Sequence, residues 1–147
     1  MSINSVGFPE TLVQGIKACG YSKLTPIQQA ALPVIRKGGD VIASAQTGTG
    51  KTAAFALPLL ERAANNQYVS GQLACLVLTP TRELAQQVYQ NFSQLNQFIG
   101  AEITQVYGGA GFAGQAQALK TLTKNMKIVQ TMITYKASLK VILTNFV

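Results

Sequence analysis

Apolar residues along this chain follow two alternating spacings, which predict alternating helices and strands. The predicted helices cover residues 8–19, 26–36, 51–64, 84–95 and 111–122. Short apolar runs typical of buried strands cover residues 40–44, 73–78 and 103–107. The run at 73–78 is apolar throughout, which favours a strand covered on both faces. Regular alternation of this kind predicts an α/β domain with a parallel sheet, whose ligands bind at the carboxyl ends of the strands.

The glycine-rich loop at residues 45–52 has the composition of a phosphate cradle. It consists of Ala45, Gln46, Thr47, Gly48, Thr49, Gly50, Lys51 and Thr52. The glycines let backbone N–H groups converge on phosphate oxygens, and the following helix adds its positive N-terminal end. Lys51 would contact the β- and γ-phosphates, and the Thr52 hydroxyl would bind Mg²⁺. The alternative is a glycine-rich turn between strand and helix that binds nothing.

Length, charge and amino-acid composition add few constraints to the predicted fold and function. The 147 residues have the size of one domain, and the formal charge of +7 suggests an anionic partner such as nucleic acid. The chain has no histidine, which excludes histidine-based catalytic triads, and its two cysteines, Cys19 and Cys75, are predicted to be free thiols. It has no secretory pattern and no apolar run long enough to span a membrane, so we expect a soluble cytoplasmic protein.

Further motifs accompany the loop in a fixed order. Upstream lie Phe8, the pair Gly20-Tyr21 and the run from Thr25 to Gln28, and downstream lie residues 80–85 and the pair at 108–109. Together they resemble the DEAD-box ATP-dependent RNA helicases of helicase superfamily 2, over roughly residues 8–124. In that family the phosphate loop begins with alanine, as it does here at Ala45. Leu24 stands where the family usually has proline.

The resemblance implies a P-loop NTPase domain with a RecA-like three-layer fold and a mostly parallel sheet. It implies that Gln28 hydrogen-bonds the adenine edge of ATP and that Phe8 packs on the base. It also implies contacts with the sugar-phosphate backbone of RNA from Pro80, Thr81, Arg82, Gly108 and Gly109. Taken singly, Arg82 could equally be a solvated charge and Gly108 an ordinary turn.

The sequence also departs from the family. The five acidic residues are Glu10, Asp40, Glu61, Glu83 and Glu102. No two are adjacent, so the Asp-Glu-Ala-Asp motif that would hold Mg²⁺ and orient the attacking water is missing. The motifs expected after residue 124 are missing too. We therefore predict an incomplete RecA-like domain at residues 1–125 and a divergent tail at 126–147, which could hold one or two strands. The chain is either a truncated or frameshifted gene product or a true short protein with its own C-terminal strands.

These features lead to three functional hypotheses. The first is the ATP- and RNA-binding portion of a DEAD-box helicase, inactive alone, monomeric and prone to aggregation through exposed sheet edges. The second is a non-catalytic nucleotide- or RNA-binding module, or a degenerate fragment if the chain proves unfolded. The third, a small-molecule or nucleoside kinase, is disfavoured by Gln28, Arg82 and the missing acids.

Overall fold

A computed structural model describes residues 1–68, 73–108, 111–121 and 127–132. After a 3-10 turn at Ile3–Ser5, the elements are α1 (Glu10–Ala18), α2 (Pro26–Arg36), α3 (Lys51–Ala64), β1 (Leu73–Thr79), α4 (Arg82–Asn96), β2 (Glu102–Val106), α5 (Phe112–Thr121) and β3 (Lys127–Met132). The five predicted helices are confirmed to within two residues at either end. The strands at residues 73–78 and 103–107 are confirmed as β1 and β2.

The three strands form one parallel sheet in the order β1-β3-β2, which confirms the predicted parallel sheet. The central strand, β3, comes from the stretch that the sequence analysis assigned to a divergent tail. Its Val129 pairs with Leu76 of β1 on one side and with Thr104 of β2 on the other. The beginning of the tail is therefore part of the sheet, and residues 133–147 lie outside the described residues.

The strand predicted at residues 40–44 is absent, and this prediction was wrong. These residues form no ladder with β1, β2 or β3, and the side chain of Ile42 is 94% exposed. A strand satisfies its backbone N–H and C=O groups through a neighbour, so an apolar sequence alone does not make one. With few strands in the described part of the chain, the fold is consistent with an incomplete RecA-like domain.

The core lies where α1, α3 and α4 pack against one another and against β1. Phe92 of α4 is 1% exposed, and its ring centroid lies 5.8 Å from that of Phe55 on α3. Helices α1 and α4 approach so closely that a Cβ atom built on Gly15 would collide with the carbonyl oxygen of Leu95. Close packing of this kind fixes the direction of α4, which begins at Arg82.

Only one face of β1 is well covered, contrary to the prediction of a strand covered on both faces. Cys75 and Val77 are buried, whereas Leu78 on the alternate face is 42% exposed. Burial raises the pKa of the Cys75 thiol to about 12, so this cysteine is neutral and unreactive at physiological pH. Both cysteines are free, as predicted. Within the described residues, no helix combines the length and apolarity that crossing a membrane requires.

Candidate nucleotide and nucleic-acid sites

The glycine-rich loop has the backbone geometry that the sequence predicts for a phosphate cradle. Gly48 and Gly50 adopt φ angles of 82° and 84°, a left-handed region that favours glycine. Gly50 is the residue that caps the N-terminus of α3, and it has no side chain to accept the first N–H groups of that helix. These donors can therefore bind phosphate oxygens.

Lys51 and Thr52 form the first turn of α3, as predicted, and both are half-buried. The Lys51 ammonium donates a hydrogen bond to the carbonyl oxygen of Ala45, at the start of the same loop. Across the loop, the hydroxyl of Thr49 donates to the carbonyl oxygen of Gln46 at 2.8 Å. These two hydrogen bonds connect residues within the loop. The Lys51 ammonium could exchange its bond to the Ala45 carbonyl for one to a phosphate oxygen.

Gln28 is buried, with 6% of its surface exposed, and connects helix α2 to the phosphate loop. Its Nε2 donates to the carbonyl oxygen of Gly50 at 3.1 Å, and its Oε1 accepts from the backbone N–H of Thr25 at 2.9 Å. The second bond belongs to a capping box at the start of α2, which the spacing of Thr25 and Gln28 could have predicted. A Cβ atom on Gly50 would collide with Nε2 of Gln28. The φ angle of Gly50 therefore favours glycine, and a larger residue there would also displace the Gln28 amide.

Phe8 does not form an open platform beside the loop. It is 8% exposed and belongs to the core, and the guanidinium carbon of Arg36 lies 5.0 Å from its ring centroid. Arg36 also donates to the carbonyl oxygen of Val6 at 3.1 Å and forms an ion pair with Glu61 at 2.6 Å. Stacking of Phe8 on a base would require this covered ring to become accessible, and the role of Phe8 at the adenine stays a prediction.

A cavity of about 500 Å³ borders the loop on the side of the missing strand. Its walls are apolar side chains of α2, including Ile27 and Ala31, together with residues 41–45. Ala45 and Thr49 of the predicted phosphate loop also line it, whereas Gln28 and Lys51 do not. The cavity therefore overlaps only part of the predicted nucleotide-binding residues.

The loop fits the phosphates of a nucleotide better than it fits a metal ion by itself. The described residues contain no group of three histidine, cysteine, aspartate or glutamate side chains that could hold a metal. Thr52 is the one predicted Mg²⁺ ligand among them. A magnesium ion here would be held by the Thr52 hydroxyl, phosphate oxygens and water, a ligand set that suits Mg²⁺.

The predicted RNA-contacting residues lie at the carboxyl ends of β1 and β2. The register places Thr79 of β1 opposite Met132 and Val106 of β2 opposite Thr131, so both strands end at one edge of the sheet. Pro80 and Thr81 follow β1, Arg82 begins α4, and Gly108 lies two residues beyond β2. Thr81 caps α4 by accepting from the N–H of Leu84 at 3.2 Å. Gly109 lies outside the described residues.

Sequence reasoning missed an aromatic contact at this edge. The guanidinium carbon of Arg82 lies 5.7 Å from the ring centroid of Tyr107, the residue before Gly108. The contact brings together a side chain from the start of α4 and one from the end of β2. The sequence does not predict this contact, because Arg82 and Tyr107 are far apart in the chain and become neighbours only when the sheet forms.

The structure defines an α/β domain in which a glycine-rich loop leads into helix α3. The DEAD/DEAH box helicase family model matches residues 25–145. Because this match covers more than half of the chain, the chain belongs to the DEAD/DEAH box helicase family. The match also continues beyond residue 124, where the motif comparison ended.

Curated relatives and solved structures agree with this family. The chain is 40% identical over 119 residues to the DEAD-box ATP-dependent RNA helicase RhpA of Helicobacter pylori, covering 81% of this chain and 23% of that protein. It is 43% identical over 118 residues to the ATP-dependent rRNA helicase RRP3 of Saccharomyces cerevisiae, covering 80% and 23%. The crystal structure of a DEAD box protein from Methanococcus jannaschii superposes with a TM-score of 0.74 at 34% identity, covering 90% of this chain and 34% of that one. The chain spans about a quarter of the length of the curated relatives.

Proposed function

We propose that this chain is the ATP- and RNA-binding portion of a DEAD-box RNA helicase and that it does not hydrolyse ATP by itself. The observation that carries the proposal is the hydrogen bond from Gln28 to the carbonyl oxygen of Gly50, at 3.1 Å. It connects the residue expected to recognise adenine with the last glycine of the loop expected to hold phosphates. A single nucleotide bound at this junction would contact both.

ATP binding requires a rearrangement of the Lys51 contact in this structure. Each end of the Gln28 amide has one partner, Thr25 or Gly50, and keeps capacity for a second hydrogen bond to adenine. Lys51 donates to Ala45, and the β- and γ-phosphates would replace that carbonyl oxygen as its partner. Since a charged phosphate is a stronger acceptor than a backbone carbonyl, this exchange favours binding.

RNA would bind along the edge formed by the carboxyl ends of β1 and β2. Arg82 supplies a positive charge there, and Gly108 is exposed with an accessible backbone. Contacts of this kind hold phosphates without reading bases, so we expect binding to single strands with little sequence preference and strong salt dependence. The relatives named above carry RNA helicase in their names, which supports RNA as the ligand.

The lack of hydrolysis follows from the acidic residues. Phosphoryl transfer to water needs carboxylates that hold Mg²⁺ and orient the nucleophile. The five acids of this chain are dispersed in sequence, and Glu61 is engaged by Arg36. We therefore propose that the loop binds Mg²⁺·ATP through Thr52 and the phosphates, in a cytoplasmic and monomeric protein, without turning it over.

Calorimetric titration with Mg²⁺·ATP tests the nucleotide part of this proposal. Lys51→Ala is expected to weaken ATP binding at least about tenfold, because it removes a charge-assisted bond to phosphate. The matched control is Lys17→Ala, which removes an exposed lysine on α1 and should leave ATP affinity unchanged. Equal binding by wild type and Lys51→Ala, or no binding by a wild-type chain that unfolds cooperatively on heating, would refute the proposal.

A further inference from the structure

The backbone that leads into Arg82 is held by hydrogen bonds of two threonines, Thr79 and Thr81. Thr79, 2% exposed, donates from its hydroxyl to the carbonyl oxygen of Thr81 at 3.2 Å, and Thr81 caps α4. The backbone entering α4 is therefore fixed, but the long side chain of Arg82 is exposed. A free arginine side chain loses considerable rotamer entropy when it binds a phosphate.

Tyr107 restricts that freedom. Its ring lies beside the Arg82 guanidinium, with 5.7 Å between the guanidinium carbon and the ring centroid. Arginine can lie against an aromatic face while its N–H groups still donate to a phosphate, because the donors are on the rim of the planar group. The tyrosine ring thus limits the orientation of Arg82 without blocking its donors.

Gln115 of α5 holds Tyr107 in turn. The backbone N–H of Tyr107 donates to Oε1 of Gln115 at 2.8 Å, and Nε2 of Gln115 donates to the carbonyl oxygen of Tyr107 at 3.0 Å. One side-chain amide thereby binds both polar backbone groups of Tyr107, as a neighbouring strand would. The residue is fixed just beyond the end of β2, where the sheet no longer determines its position.

We infer that Tyr107 is a positioning residue for the contact between Arg82 and the nucleic-acid backbone, and that Gln115 holds Tyr107 for this purpose. The inference rests on the proposed function, since it assumes that Arg82 binds RNA phosphates. The tyrosine ring would orient the Arg82 guanidinium and would not itself contact bases. The ligand it implies is a single-stranded polynucleotide recognised by its phosphates.

The inference is tested by fluorescence anisotropy with labelled single-stranded oligouridylate and the full chain at low salt. Arg82→Ala is expected to weaken binding about tenfold. Tyr107→Leu is expected to weaken it about two- to fivefold, because the unrestricted Arg82 side chain then loses more rotamer entropy on binding. The double variant should bind no more weakly than Arg82→Ala alone, and Tyr107→Phe, which keeps the ring, should bind like wild type.

Phe98→Leu is the matched control, because it removes an exposed aromatic ring just beyond the opposite end of α4. It should leave RNA affinity unchanged. A ring-current shift of the Arg82 side-chain protons in the free chain, lost in Tyr107→Leu and kept in Tyr107→Phe, gives a second readout that does not depend on RNA.

The outcomes separate this inference from the proposed function. Binding that falls in Arg82→Ala but not in Tyr107→Leu would refute the positioning role and leave the RNA function intact. A further loss in the double variant beyond Arg82→Ala would show that the ring contacts RNA directly, which also contradicts the inference. Absence of RNA binding by the folded wild-type chain would refute the RNA part of the proposed function, and this inference with it.

Discussion

Residues 40–44 and strand β1 look alike in sequence and differ in structure. Each is a short apolar run followed by a loop and a helix, and the sequence predicts a strand for both. β1 pairs with β3 and buries Val77, whereas residues 40–44 pair with none of the three described strands and leave Ile42 exposed. The helices that follow, α3 and α4, form in both cases. A helix satisfies its own backbone, but a strand depends on a neighbour that can come from far along the chain.

This difference determines how the two candidate sites are held. The candidate nucleic-acid site lies at the carboxyl ends of β1 and β2. The sheet supports it, because the parallel register aligns the ends of these two strands. The phosphate loop has no such strand before it. Within the described residues, the loop is held by the hydrogen bond from Gln28 of α2 to Gly50. It is also continuous with the N-terminus of α3.

The largest expected difference between the two segments is in the free energy of unfolding when one apolar side chain in each is replaced by alanine. Val77→Ala should lower the free energy of unfolding by about 2 kcal/mol, because it leaves a cavity under β1. Ile42→Ala should change it by less than about 0.5 kcal/mol, because the side chain is 94% exposed. Urea denaturation followed by circular dichroism measures both. Equal losses for the two variants would mean that residues 40–44 are buried in solution.

A smaller effect is expected from adding a methyl group where α1 meets α4. Gly15→Ala gains helix propensity, but its Cβ would collide with the carbonyl oxygen of Leu95, so we expect a net loss of about 1 kcal/mol. Gly114→Ala is the matched control, since Gly114 lies in α5 with no heavy atom within 4 Å of the added carbon. It should stabilise the chain slightly. Thermal unfolding of the two variants should therefore move in opposite directions, and a stabilised Gly15→Ala would contradict the close approach of α1 and α4.

Much of the fold could be predicted because its signals are local. The pair Thr25-Pro26 marks the start of α2, and the apolar spacing of residues 84–95 predicted α4 to within two residues at either end. The glycines of the loop also indicated their conformations correctly at Gly48 and Gly50. These features depend on residues within one or two turns of each other.

The features that sequence reasoning missed depend on distant residues. The contact of Arg36 with Phe8 joins positions 28 apart, and the contact of Arg82 with Tyr107 joins positions 25 apart. Nothing in the sequence context of Phe8 indicated its covered position, and its role at the adenine stays a prediction. The central place of β3 was likewise not predictable from its composition, because strand order is decided by the whole sheet.

The most direct test of the account is the fate of radiolabelled ATP with the purified chain and saturating single-stranded RNA. ATP should bind, and phosphate release should stay at the background measured for Lys51→Ala, because the chain lacks the paired acids that hydrolysis requires. RNA-stimulated phosphate release that disappears in Lys51→Ala would contradict the account, since it would show that this chain alone holds a complete catalytic site.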